Sequence, residues 1–156
     1  MYDSAASMPS MTDRDRGAAV EYAVSLLNGL LSHKTDSLFK YVLEASPYVT
    51  EADAEILQTV ERIARTHDDQ ERMLTQIIQD LDAVPVPVGH DIGIADLNYL
   101  SLRFLLRYLI DYQEHCIAEA QAGLVYLSVS PAAAQTVERI IETDRRDLEK
   151  LRSFLP

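Results

Sequence analysis

Glycine and proline are scarce in this chain, at 5 and 6 of 156 residues. That scarcity disfavours a fold of short strands and tight turns and favours long helices. Cysteine occurs once, as Cys116, so no internal disulfide can form, and the chain fits a reducing compartment. Basic residues are outnumbered, 14 against 25 acidic, for a formal net charge of −11. Such a charge repels phosphate backbones and anionic lipid, which argues against nucleic-acid and membrane-surface roles. Long apolar runs are absent as well, and the N-terminus lacks the basic end and apolar stretch of a signal peptide. The expectation is a soluble, cytoplasmic protein.

Hydrophobic residues make up 47% of the chain, which excludes disorder for most of its length. The length suits one domain with a sizeable core and is short for two. Residues 1–13 are small, polar and unpatterned and read as a disordered tail. Residues 14–156 read as a single domain of four helices. The first runs from about Arg14 to Ala45 and stops before Pro47, because the residue preceding proline is pushed out of the helical region. The second starts at Thr50, whose spacing to Asp53 resembles a capping box, and runs to about Asp82. The third spans about Asp96 to Leu127. The fourth opens with Ser130 as N-cap and Pro131 in the first turn, and ends near Phe154.

The connections predict the topology. About five residues join the first two helices and about four join the last two, so each pair reads as an antiparallel hairpin. The middle connection, AVPVPVGHDIGIA, is longer, and its X-Pro steps hold it extended. Extended, it reaches roughly 43–47 Å, and a helix of the length expected here is roughly 45 Å long. It can therefore cross the whole bundle and start the third helix at the far end.

Each helix carries an apolar seam interrupted near its middle by polar residues. In the second, Ile56, Val60, Ile63, Leu74, Ile77 and Leu81 keep 4-3-4-3 spacing, and the two seam positions between them are His67 and Gln70. The first carries Leu27, Leu31, Leu38 and Tyr41 around Lys34. The third carries Leu102, Leu106, Leu109, Cys116 and Ala120 around Gln113. The fourth carries Val137, Ile140 and Leu151 around Asp144 and Asp147. Four interruptions at similar depth predict a polar layer across the bundle.

The first helix, LNGLLSHKTDSLFKYVLEA, resembles the opening helix of bacterioferritins and related ferritin-like proteins such as the rubrerythrins. HDDQERML and DRRDLEKL resemble the two Glu-x-x-His segments of that superfamily. The resemblance spans about residues 18–154 and implies an all-α, ferritin-like four-helix bundle: two antiparallel hairpins joined by a long crossover between the second and third helices. It also places the family's six di-iron ligand positions on Lys34, His67, Gln70, Gln113, Asp144 and Asp147. All six depart from the family pattern, and no Glu-x-x-His occurs in the chain. An ammonium stands where a metal pair needs negative charge, and glutamine is a poor ligand for iron or zinc.

No cofactor is therefore expected. The layer reads best as a hydrogen-bonded network in which Lys34 pairs with Asp144 or Asp147, since buried charge survives only when paired. A residual metal set of His67, Asp144 and Asp147 is the alternative, holding iron or another divalent metal. The fragment His67-x-x-x-Glu71, with His33 on the first helix, also fits part of a hemerythrin pattern. Hemerythrins need more histidines on their later helices than His115 supplies, and His90 lies in a loop. His115 reads as a surface or flank residue.

Cys116 reads as an inert buried thiol. Tyr99, Tyr108, Tyr112 and Tyr126 read as aromatic packing rather than an electron relay. Glu61, Glu138 and Glu142 fit solvated faces. Leu97, Leu100, Phe104 and Tyr108 lie opposite the seam of the third helix, and apolar residues on both faces call for a second cover. The expected cover is another copy of the chain, in a homodimer or higher homo-oligomer. The functional expectation is a structural, binding or regulatory module that has lost di-iron ferroxidase chemistry. The competing class is a metal-binding oxidoreductase or iron-handling protein with altered ligands.

Overall fold

The computed structural model describes residues 10–87, 97 and 99–156. Among the described residues, the helices with defined ends are α1 (Asp13–Thr35), α2 (Leu38–Glu44), α3 (Ala54–Asp80), α4 (Leu102–Gly123) and α5 (Pro131–Arg152). Single 3₁₀ turns, Glu51–Asp53 and Leu124–Leu127, lead into α3 and follow α4. No β-strand occurs among the described residues, and the protein is an all-α bundle in which α1 and α2 together act as one of four helical columns. No described helix is long and apolar enough to cross a membrane.

The termini follow local chemistry. Thr12 caps α1 by accepting from the Asp15 amide, so the helix begins at Asp13, and residues 1–9 of the expected tail lie outside the described residues. Ser130 caps α5 by accepting from the Ala133 amide, with Pro131 in the first turn as expected.

Three expected boundaries change. The expected first helix is interrupted, because Ser37 leaves the helical region and its hydroxyl accepts from the Phe39 amide to start α2 afresh. That restart rotates the apolar face, so Phe39 and Val42 are buried where Leu38 and Tyr41 were expected. The Thr50 capping box does not form. Thr50 makes no side-chain cap, and the Asp53 carboxylate instead takes two bonds from the Arg103 guanidinium, at 2.6 and 3.0 Å. Finally, α4 begins at Leu102, while the expected start near Asp96 lies outside the described residues. Tyr99 has a φ of 69°, which no helix accommodates, and Ser101 caps the helix by accepting from the Phe104 amide.

In α3 the seam keeps Ile56, Val60, Ile63, His67, Gln70 and Leu74 buried, but its next buried position is Ile78, with Ile77 only partly covered. A straight helix drifts relative to a strict heptad, so the inward face moves on by one residue after a few turns.

Contacts between columns run in opposite senses. Asn28 accepts from the Val86 amide while Lys40 pairs with Asp68, so α1–α2 and α3 are antiparallel. Arg145 meets Gln121 while Arg152 meets Glu114, so α4 and α5 are antiparallel. Leu26 packs on Gly123 and His33 meets Glu119, which sets α1 against α4 in the same way. At one end, Tyr48 exchanges backbone bonds with Leu100 and Leu102 at 3.2 and 2.9 Å, fixing the start of α4 beside the approach to α3. The core between the columns is aliphatic above and below its middle, with Leu27, Leu31, Ile63, Leu74, Leu106, Leu109, Val137 and Leu151 among its buried members.

Candidate functional site

The middle of that core is polar. Lys34, His67, Gln70, Gln113, Asp144 and Asp147 are all buried, none more than 3% exposed. Each continues the inward stripe of its helix, so the same periodicity that buries the leucines carries these residues inward.

Asp144 is the hub. Lys34 Nζ lies 2.7 Å from its Oδ2, and the Gln70 amide donates to its Oδ1 at 2.8 Å. The Gln113 amide donates to its backbone carbonyl at 3.3 Å. Three columns thus converge on the fourth through one residue of α5. Asp147, the other candidate partner of Lys34, goes elsewhere: the Arg62 guanidinium donates to its Oδ1 at 2.7 Å from the half-exposed edge of α3. Each buried carboxylate of the layer thus has a cation beside it, Lys34 within the core and Arg62 at its half-exposed edge.

His67 is fully buried, and its Nδ1 lies 2.7 Å from the Ser37 hydroxyl. Burial holds its pKa well below 6.5, and the Lys34 and Lys40 charges push it the same way. A neighbouring Gln113 side chain favours the protonated ring and offsets part of that shift. The ring is neutral at physiological pH and packs edge-on against Phe39, at 5.2 Å between centroids. Four polar atoms in the layer, His67 Nε2, Gln70 Oε1, Gln113 Oε1 and Asp147 Oδ2, find no hydrogen-bond partner among the described residues.

A di-iron centre does not fit these residues. Both Asp144 carboxylate oxygens already take N–H donors, one of them an ammonium that would repel a cation placed there. Nor do His67, Asp144 and Asp147 form a ready metal set. Among the described residues, the one group of three potential ligands with their atoms within 4.8 Å of one another is His33, His115 and Glu119. Glu71, the hemerythrin-like partner of His67, turns outward to Lys40 at 3.2 Å. His90 lies outside the described residues.

Cys116 is buried beside the layer, and burial pushes the pKa of its thiol up to about 11, which favours the protonated thiol at neutral pH. With His33, Lys34, Ala120 and Asp144 it lines a cavity of about 10 Å³, room for one water at most. Tyr112 donates to the His33 carbonyl at 2.5 Å, and burial raises its pKa. Tyr99, Tyr108 and Tyr126 lie on the surface, so the tyrosines do not line up toward the layer.

The outer face of α4 also differs from expectation. Phe104 and Tyr108 are more than half exposed, with rings 5.6 Å apart beside Arg103, Arg107 and Asp111. Leu97 and Leu100 precede the helix and pack against the core, so the expected four-residue strip shrinks to the aromatic pair. Three participants escaped sequence reasoning. Ser37 is hidden by a helix break that periodicity did not signal. Arg62 lies off the apolar seam of its helix, so periodicity does not point to it. The His33–Glu119 contact joins residues far apart in the chain, although the His115-x-x-x-Glu119 spacing is visible in the sequence.

No family model matches this chain, and no curated protein or solved structure matches it either.

Proposed function

We propose that this protein is a ferritin-like bundle whose di-iron centre has been replaced by a buried ion-pair layer. On this reading it acts as a structural, binding or regulatory module rather than an oxidoreductase. The observation that carries the reading is the Lys34–Asp144 pair at 2.7 Å, buried where a metal-binding bundle keeps its carboxylates. The topology is part of the proposal. With α1–α2 antiparallel to both α3 and α4, the last two run in parallel. The end of α3 and the start of α4 then lie at opposite ends of the bundle, which supports a ferritin-like crossover between them. Self-association through Phe104 and Tyr108 belongs to the same proposal.

The test is an iron-oxidation assay. Chelator-treated protein given ferrous iron under argon and then exposed to air is expected to oxidise it no faster than buffer. Two irons per chain with rapid oxidation, abolished in Asp144→Asn, would restore the competing reading as an iron-handling enzyme.

A further inference from the structure

Beside the polar layer, on the flank where α1 meets α4, three side chains converge that the proposed function does not use. His115 and Glu119 stand one turn apart on α4, the i, i+4 spacing that puts two ligands on one helix face. His33 reaches them from α1, one residue before the buried Lys34. Its Nε2 contacts Glu119 Oε2, and His115 Nε2 lies 4.0 Å from the same oxygen. The two imidazoles meet edge to face with centroids 5.7 Å apart, and all three ligand atoms fall within 4.8 Å of one another.

We propose that His33, His115 and Glu119 form a binding site for a zinc-class divalent cation that clamps α1 to α4. Two imidazole nitrogens and one carboxylate oxygen are a donor set that zinc accepts in tetrahedral geometry. Ligand atoms about 2 Å from a tetrahedral ion lie a little over 3 Å apart. A small rotation of the exposed His115 and Glu119 side chains therefore closes the set. Calcium and magnesium, which favour all-oxygen shells, are excluded by the two imidazoles.

The site is partly organised in advance. The His33 side chain is only 13% exposed, and its backbone carbonyl accepts from the Tyr112 hydroxyl of α4, so α1 is held to the ligand-bearing helix one turn from His115. His115 and Glu119 are 69% and 46% exposed at the side chain, which leaves the fourth coordination position facing water. The chain's net charge of −11 favours cation capture over the whole surface. The inference is independent of the reading of the polar layer, because none of its ligands belongs to that layer.

The experiment is a calorimetric titration of chelator-treated full-length protein with Zn²⁺ at roughly 20 µM chain, a range that detects micromolar affinity. Co²⁺ serves as a spectroscopic probe of the ligand geometry. One equivalent of Zn²⁺ is expected to bind and to raise the melting temperature, with Co²⁺ giving intense visible bands of low coordination number. His115→Ala removes an exposed ligand without touching the core. It is expected to weaken binding by at least about 100-fold, more than the usual loss of an outer-shell partner, and to abolish the cobalt bands. Glu119→Gln is expected to act likewise, while Glu138→Gln on exposed α5 surface leaves binding unchanged. Absence of saturable Zn²⁺ binding, or binding that His115→Ala and Glu119→Gln leave intact, would overturn the site. If that surviving binding were instead lost in Asp144→Asn, the reading of the layer would fail with it.

Discussion

At the scale of single residues, the Lys34–Asp144 pair makes a demand that can be measured. Lys34→Met leaves Asp144 buried without its cation, and the expected destabilisation is about 3–5 kcal/mol, the usual cost of removing one partner of a buried pair. Replacing Lys34, Asp144 and Asp147 together by apolar residues of similar size is expected to recover much of that loss, because no unpaired charge remains. Arg62, freed from Asp147, is half-exposed and returns to water. Denaturant melts of the single and triple variants check both; a single variant as stable as the parent would remove the case for the pair.

His67 adds a pH dependence. Its pKa is lowered in the folded protein, so below about pH 6.5 the unfolded chain takes up a proton that the folded chain refuses. Above pH 6.5 neither state is protonated at this ring and its contribution is flat. As the pH falls from there, stability is expected to drop by up to about 1.4 kcal/mol per unit until the folded pKa is reached. His67→Asn, which keeps an acceptor near Ser37, should lessen that slope below about pH 6.5. An unchanged slope in unfolding free energy against pH would assign the effect to other groups.

At the scale of elements, the break between α1 and α2 lets one hydroxyl do two jobs. Ser37 Oγ accepts from the Phe39 amide at 3.2 Å and meets His67 Nδ1 at 2.7 Å. Ser37→Ala loses a helix cap and strands a buried ring nitrogen, for an expected cost of about 2–3 kcal/mol. Ser37→Thr, which keeps the hydroxyl, should lose less by chemical denaturation. The other end of the column rests on Gly123, where a β-carbon would lie 2.7 Å from a Leu26 methyl. That methyl ends a flexible, partly exposed side chain, so Gly123→Ala is expected to cost only about 1 kcal/mol, at the low end for overpacking. Combining it with Leu26→Ala should relieve the clash, and non-additive unfolding free energies would reveal the contact.

At the scale of the whole molecule, what covers α4 decides the assembly. Phe104 and Tyr108 form a small aromatic pair between arginines, and Leu97 and Leu100, expected beside them, help close the core instead. A weak homodimer through that pair is the proposed state. Phe104→Glu is expected to shift sedimentation toward the monomer at roughly tens of micromolar, where micromolar dimers persist. A parent protein that sediments as a monomer there would remove the interface.

The sequence by itself determined the helical columns and the residues of the central layer, because both follow from local periodicity. Every helix repeats its inward face every three to four residues, so Lys34, His67, Gln70, Gln113, Asp144 and Asp147 were legible as buried before any contact was known. Only the tertiary structure decided how those residues pair. Lys34 had two carboxylates one turn apart to choose from, and the register of α1 against α5 selects Asp144 while Arg62 of α3 takes Asp147. The same holds for the Ser37–His67 contact, the Asp53–Arg103 contact and the meeting of His33 with Glu119. Each depends on where one column lies along another, and that register is set by packing of the entire core rather than by any local run of residues.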